Sequence, residues 1–318
     1  MDIRRLESFC RVFELRSFSK AADDLFLSQP TVSSHIASLE DELSCRLFDR
    51  IGRQILPTQA GIILYSYASR IIEHIGRAVS DIHLLNNRVV GRLVLGGSTI
   101  PSHYLLPQVL KRYREAYPEV EITVHTADSC AIEERLLEGE VDVGVIGASA
   151  AFPELEYRPV LQDELLLLSS RHLCPEGATA DPETLCRLPW IIREKGSGTR
   201  KAMEKGLEQL GIRIGDLRIV LTAHTTEAVM QAIINGMGVS ITSRLAASEA
   251  MARHEVLDIR APELDLRRVF YTVTHRQRAP YPASSRFVDM LQALSGTLFH
   301  SSGFSVGAAS DQEPLTNT

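Results

Sequence analysis

The stretch Ser28-Gln29-Pro30-Thr31-Val32-Ser33-Ser34-His35-Ile36-Ala37-Ser38-Leu39-Glu40-Asp41-Glu42-Leu43 carries two patterns at once. Val32, Ile36, Leu39 and Leu43 recur at spacings of four, three and four, the buried stripe of a helix. Ser28 supplies a hydroxyl cap, and Pro30 is tolerated in the first turn, where no backbone N–H is needed. The opposite face opens with Gln29, Thr31, Ser33, Ser34 and His35, short hydrogen-bonding groups suited to base edges and phosphates in a major groove. Glu40, Asp41 and Glu42 follow, so only the first two turns can face a polyanion.

Upstream, Ile3, Leu6, Phe9, Cys10 and Phe13 make one apolar face on a first helix that stops near Arg16. Ser17 caps a second short helix, with Phe18 stapling the turn and Ala21 and Ala22 permitting close helix approach. Downstream, Leu47 and Phe48 anchor a short hairpin in which Arg50 and Arg53 flank Ile51-Gly52, a positively charged wing. The candidate DNA contacts are therefore Gln29, Pro30, Thr31, Ser33, Ser34, His35, Arg50 and Arg53.

Bulk charge gives no hint of this. The whole chain carries -6, and its first sixty residues hold 8 Lys/Arg against 9 Asp/Glu, a net -1. At 318 residues and 44% apolar composition, the chain supports two or three compact units. No apolar run approaches the ~20 residues of a membrane span, and Arg4, Arg5 and Glu7 stand where a signal peptide would need an apolar stretch. A soluble, cytoplasmic protein without a membrane partner is expected. The five cysteines form no CxxC pair and the histidines show no HxxxH or HExxH spacing, so neither a metal site nor any cofactor is expected.

Ser17-Phe18-Ser19-Lys20-Ala21-Ala22, Leu27-Ser28-Gln29-Pro30-Thr31-Val32-Ser33, Leu39-Glu40, Leu47-Phe48-Asp49-Arg50 and Pro57-Thr58-Gln59-Ala60-Gly61 resemble, in order and spacing, the LysR-type transcriptional regulators. Within them, the wording of the N-terminal stretch and of Gly196 to Arg200 resembles the subgroup associated with sulfur or selenium metabolism. The resemblance implies a DNA-binding regulator rather than an enzyme. It further implies a homodimer or homotetramer, joined through a linker helix, on a pseudo-palindromic double-stranded operator.

From Thr58 to about Asn87 there is no proline, and Ile62, Ile63, Tyr65, Ala68, Ile71, Ile72, Ile75, Val79, Ile82 and Leu85 recur at spacings of three and four. This predicts one long helix, with a seam that a second copy should cover rather than its own domain. After Gly91 strands and helices alternate, which implies parallel α/β layers. The expected architecture is α/β: a winged helix-turn-helix at 1–58, a linker helix at 59–90 and an effector domain at 91–300. A Ser/Gly/Ala/Thr-rich tail at 301–318 reads as disordered. By resemblance the effector domain has two periplasmic-binding-protein-like lobes, about 91–161 with 267–300 and about 162–266, hinged near Arg158–Gln162 and Pro262–Arg268.

A ligand between such lobes should meet strand ends where helices begin, because free N–H groups and the helix dipole favour an anion there. Ser98 and Thr99 follow the first strand and match the family's effector-contact position. Gly196-Ser197-Gly198-Thr199-Arg200 joins flexible backbone, hydroxyls and a guanidinium. Ser129, Thr225 and Thr226 open other helices, while Asp128 would repel an anion and reads as structural. The candidate ligand residues are Ser98, Thr99, Ser129, Ser197, Gly198, Thr199, Arg200, Thr225 and Thr226, and the expected effector is a small oxyanion or carboxylate. One rival is a thiol switch using Cys130, whose pKa a helix start would lower, or a Cys174/Cys186 bridge. Another is a binding protein or enzyme on the same two-lobed fold, for which no clustered acid, base or nucleophile argues.

Overall fold

The computed structural model describes residues 1–51, 54–85, 88–264 and 266–295. The chain divides between Arg88 and Val89 into two compact units.

In the first unit, α1 (Ile3–Leu15) ends where Arg16 turns left-handed at φ 51°, α2 (Phe18–Asp24) is capped by Ser17, and α3 (Gln29–Leu43) is capped by Ser28. Each cap works through a serine hydroxyl that accepts a free N–H, from Lys20 at 3.3 Å and from Thr31 at 3.2 Å. β1 (Phe48–Ile51) and β2 (Gln54–Pro57) pair antiparallel as the wing. Glu40 sets the wing's start, its Oε1 accepting the Leu47 N–H at 2.8 Å. Phe9, Val12, Ala21, Val32, Leu39 and Leu47 form the core. Leu43 does not join the predicted stripe and is exposed, as is Ile3 at the start of α1, because each lies in an end turn that extends past the core.

The linker is α4 (Gln59–Leu85), and its two faces behave differently. Tyr65 stacks on Phe13 of α1 with centroids 4.0 Å apart and donates to Glu14 Oε1 at 3.1 Å, while Ala68 and Ile72 pack on the same core. These residues therefore cover their own domain, contrary to the expectation that the whole seam awaits a second copy. Ile63, Tyr67, Ile71, Val79, Ile82 and Leu85 remain exposed.

The second unit begins with β3 (Gly91–Ser98), followed by a π-type turn (Pro101–Leu105), α5 (Leu106–Ala116), β4 (Val120–Ala127), α6 (Ser129–Glu138) and β5 (Val143–Ile146). β3 runs parallel between β4 and β5. The long β6 (Leu155–Ser170) carries the chain into a second lobe of α7 (Pro182–Arg187), β7 (Pro189–Arg193), α8 (Gly198–Gln209), β8 (Arg218–Ala223), α9 (Thr226–Ile234), β9 (Ser240–Ser243), α10 (Arg244–Ala252) and β10 (Val256–Asp258). β11 (Arg267–His275) returns to pair with β5 and β6, and α11 (Pro282–Ser295) completes the first lobe.

The first-lobe order is thus β4-β3-β5-β11-β6. In the second lobe β6 lies between β9 and β10, and a Trp190–Val239 bridge adds β7, which is parallel to β8. Trp190 is fully buried beside Met203, Leu207 and Ile241, its indole N–H satisfied by the Leu185 carbonyl at 2.7 Å.

β6 is far longer than its apolar run Leu165–Leu168. Its first half, with Arg158, Pro159 and Gln162, lacks an apolar run because it is one of two strands crossing between lobes. The other is β11, and the two pair antiparallel with Arg268 opposite Asp163. The suggested hinge segments fall on these crossing strands and the turn before β11. The proposed tail at 301–318 lies outside the described residues.

Candidate functional site

The first unit presents α3 beside the wing. Gln29, Pro30 and Ser34 are exposed, whereas Thr31, Ser33 and His35 are half-buried. Thr31 Oγ1 lies 2.7 Å from the cap hydroxyl of Ser28, and Gln29 Nε2 donates to Ser33 Oγ at 3.0 Å. His35 Nδ1 shares a 2.7 Å hydrogen bond with the buried Ser8 hydroxyl, which fixes the ring against α1. Arg50 sits on β1 opposite Ile55, and Arg53 lies outside the described residues.

In the second unit, a cavity of about 10 Å³ lies between the lobes, lined by Ser98, Thr99, Ile100, Asp128, Ser129, Arg193, Ser197, Gly198, Thr199 and Arg268. That space suits about one water molecule. The lobes close over it through glycines. A Cβ on Gly198 would come within 2.8 Å of the Gly147 backbone, and one on Gly196 within 2.6 Å of the Asp128 carboxylate.

Two arginines furnish the charge. Arg193, 4% exposed at the end of β7, pairs through Nε and Nη2 with Glu194 at 2.8 and 2.7 Å. Its Nη1 donates across the cleft to Thr99 Oγ1 at 3.1 Å and within its own lobe to Thr226 Oγ1 at 2.9 Å. Arg268, 9% exposed on β11, holds Asp163 Oδ2 through Nε at 2.8 Å and donates from Nη1 to Thr199 Oγ1 at 3.0 Å. Asp163 also accepts the Ser243 hydroxyl at 2.6 Å. Burial pushes its carboxyl above the usual aspartate range, opposed by the guanidinium beside it.

Three helices start around this space or beside it. Asp128, not Ser129, caps α6, its Oδ1 accepting the Ala131 N–H at 2.9 Å, so the Ser129 hydroxyl is left fully buried without a hydrogen-bond partner. Ser197 caps α8 and Thr225 caps α9. Six predicted residues thus converge on the cavity: Ser98, Thr99, Ser129, Ser197, Gly198 and Thr199. Thr226 reaches it through Arg193, while Thr225 is exposed and occupied by the Ala228 N–H at 3.1 Å.

Arg200 does not turn into the cavity. Its Nε donates to Glu204 at 2.7 Å, one turn along α8, and its Nη1 to the Arg193 carbonyl at 3.0 Å. Sequence reasoning missed Arg193 and Arg268 as site residues. The signal for the first was an arginine directly after the apolar run Trp190-Ile191-Ile192, where an unpaired charge would be too costly to bury.

The cysteines do not favour the thiol-switch reading. All five are free thiols, Cys174 is buried, and burial raises the Cys130 thiol pKa instead of the expected lowering at a helix start. Among the described residues there is no cluster of three or more metal-ligating side chains, and no helix is long and apolar enough to cross a membrane.

A helix-turn-helix with a wing, followed by a two-lobed α/β unit closed over a polar cavity, defines the class of ligand-responsive DNA-binding regulators. Residues 3–62 match the family model described as bacterial regulatory helix-turn-helix protein, lysR family, and residues 86–295 match the LysR substrate binding domain. The chain belongs to the LysR family of transcriptional regulators, and it is not an enzyme. It is 30% identical to the HTH-type transcriptional regulator CysL of Bacillus subtilis, over 83% of this chain and 87% of that one. Its fold is similar to full-length CbnR complexed with its target DNA, at 22% identity and TM-score 0.66, covering 92% of this chain and 99% of the other. It is also similar to the regulatory domain of Synechocystis CcmR in complex with 2-PG, at 26% identity and TM-score 0.59, covering 65% and 99%.

Proposed function

We propose that this LysR-type regulator binds a small oxyanion between its lobes and, as a homodimer or homotetramer, reads a pseudo-palindromic operator whose half-sites lie about one helical turn apart. The observation that carries the effector reading is the pair of buried guanidinium groups. Each is tied by a carboxylate on one side and offers Nη1 to cleft hydroxyls on the other, Arg193 to Thr99 and Thr226, Arg268 to Thr199. The closed cavity has room for about one water, so an oxyanion would bind only with the lobes parted, taking over those Nη1 donors along with the Ser129 hydroxyl and the starts of α6 and α8. The small ligand named in the CcmR complex supports a ligand role for this domain.

On the DNA side, Gln29, Pro30, Thr31, Ser33, Ser34 and His35 would meet the major groove, with Arg50 and Arg53 reaching phosphate from the wing. The exposed stripe from Ile63 to Leu85 would be covered by a second copy.

The test is a gel shift on the protein's own upstream intergenic DNA at a stated salt concentration, with and without sulfate, sulfite, selenite and small carboxylic acids. A specific shift altered by one anion is expected. Specific binding untouched by every anion, with no calorimetric heat, would sink the oxyanion effector and leave the regulator.

A further inference from the structure

Resting on the oxyanion reading, we infer that the cleft selects an oxyanion that still carries a proton, with the Asp128 carboxylate as acceptor for that O–H. The cavity's charges are already matched in pairs, Arg193 with Glu194 and Arg268 with Asp163. Asp128 is the carboxylate left over. It lines the same cavity, takes one backbone N–H on Oδ1, and has no cationic side chain within 4.0 Å among the described residues.

Its place is imposed from both lobes. The carboxylate belongs to the cap of α6 and lies flat against Gly196 of the opposite lobe, where a Cβ would come within 2.6 Å of it. An ionised carboxylate has only acceptors. A fully deprotonated ion enclosed with it would set acceptor against acceptor, whereas an ion with one O–H donates to it.

Next to Asp128, Ser129 supplies an independent sign of a ligand. Its hydroxyl lines the cavity, is 0% exposed and has no hydrogen-bond partner. Buried polar groups are normally satisfied, and a hydroxyl that can either donate or accept suits an ion presenting both kinds of oxygen. The cleft thus holds donors from two guanidinium groups on one side and an acceptor at Asp128 on the other. A bare tetrahedral dianion matches only the first of these.

Inorganic phosphate and sulfate separate the alternatives, being tetrahedra of the same shape of which only phosphate keeps a proton near neutral pH. Calorimetric titration of the full chain is expected to give at least about tenfold tighter binding of phosphate, since its O–H donates to the Asp128 carboxylate where a sulfate oxygen would meet it acceptor to acceptor. Asp128→Asn keeps the helix cap, because an Asn oxygen accepts the Ala131 N–H as well as Asp does, and its amide adds a donor. That variant should lose the preference or turn it toward sulfate, with Trp190 fluorescence reporting an intact fold. Equal affinities, tighter sulfate binding, or a phosphate preference unchanged in Asp128→Asn would overturn the inference while leaving the oxyanion reading standing. Glycine binding more tightly than phosphate would replace a protonated oxyanion with a zwitterion. If no oxyanion bound the wild-type chain, the oxyanion reading itself would fall and this inference with it.

Discussion

Helix α3 and the cavity between the lobes of the second unit solve opposite problems with similar side chains. On α3 the hydroxyls and amide come from one short stretch, face outward, and satisfy one another locally, Thr31 with Ser28 and Gln29 with Ser33. In the cleft, Ser98, Thr99, Ser129, Thr199, Arg193 and Arg268 come from widely separated strand ends and are buried. Local satisfaction leaves α3 ready to exchange its hydrogen bonds for water or DNA at small cost. Burial makes each cleft group expensive unless paired, so that unit must bring carboxylates to its arginines before it can offer anything to a ligand.

The contrast predicts effects of very different size. The largest should follow Asp163→Ala, which leaves the Arg268 charge buried and unpaired. A loss of about 3–5 kcal/mol is expected in a urea melt followed by the single tryptophan, Trp190, which reports the effector unit alone. A loss under about 1 kcal/mol would show that the pair is well solvated and the contrast with α3 false.

Next in size, Gln29→Ala or Ser34→Ala should weaken specific operator binding by about 1–3 kcal/mol per lost base contact, with the melt of the whole chain followed by far-UV circular dichroism unchanged. Weakening that is equal for specific and random DNA would move these residues from base reading to phosphate positioning.

Ser129→Ala is sharper though smaller. Removing a buried hydroxyl that has no partner should leave stability unchanged or slightly raised, while anion affinity falls by about 0.5–1.5 kcal/mol, the usual worth of one hydrogen bond. A clear loss of stability without a change in affinity would make it a structural group. The smallest effect is expected for Arg200→Ala, whose guanidinium is spent on Glu204 and the Arg193 carbonyl. Anion affinity measured by calorimetry should move by less than about 0.5 kcal/mol, and a larger fall would put Arg200 back in the cleft.

The parts legible in advance share one property, that their signal is local. Caps at Ser17 and Ser28, the stripe Val32, Ile36, Leu39 and the strand-to-helix turns at Ser98-Thr99 and Gly196 to Thr199 are each read within a few residues of chain. What escaped was a choice between plausible partners, near or far along the chain. Ser129 looks like a cap, yet Asp128 takes that place. Thr225 and Thr226 look alike, yet only Thr226 turns to Arg193, because the first residue inside α9 faces the cleft while the cap faces solvent.

By itself, then, the sequence determined the helix-turn-helix with its wing, the linker and the alternating α/β order, since periodicity, capping and turn chemistry are properties of neighbouring residues, and its motifs carried the family resemblance. Only the tertiary structure decided which arginines line the cavity, which face of α4 its own domain covers, and that Asp128 rather than Ser129 caps α6. A side chain's fate among several plausible partners depends on burial and on strands paired across more than a hundred residues, as Asp163 and Arg268 are. No local pattern encodes that choice.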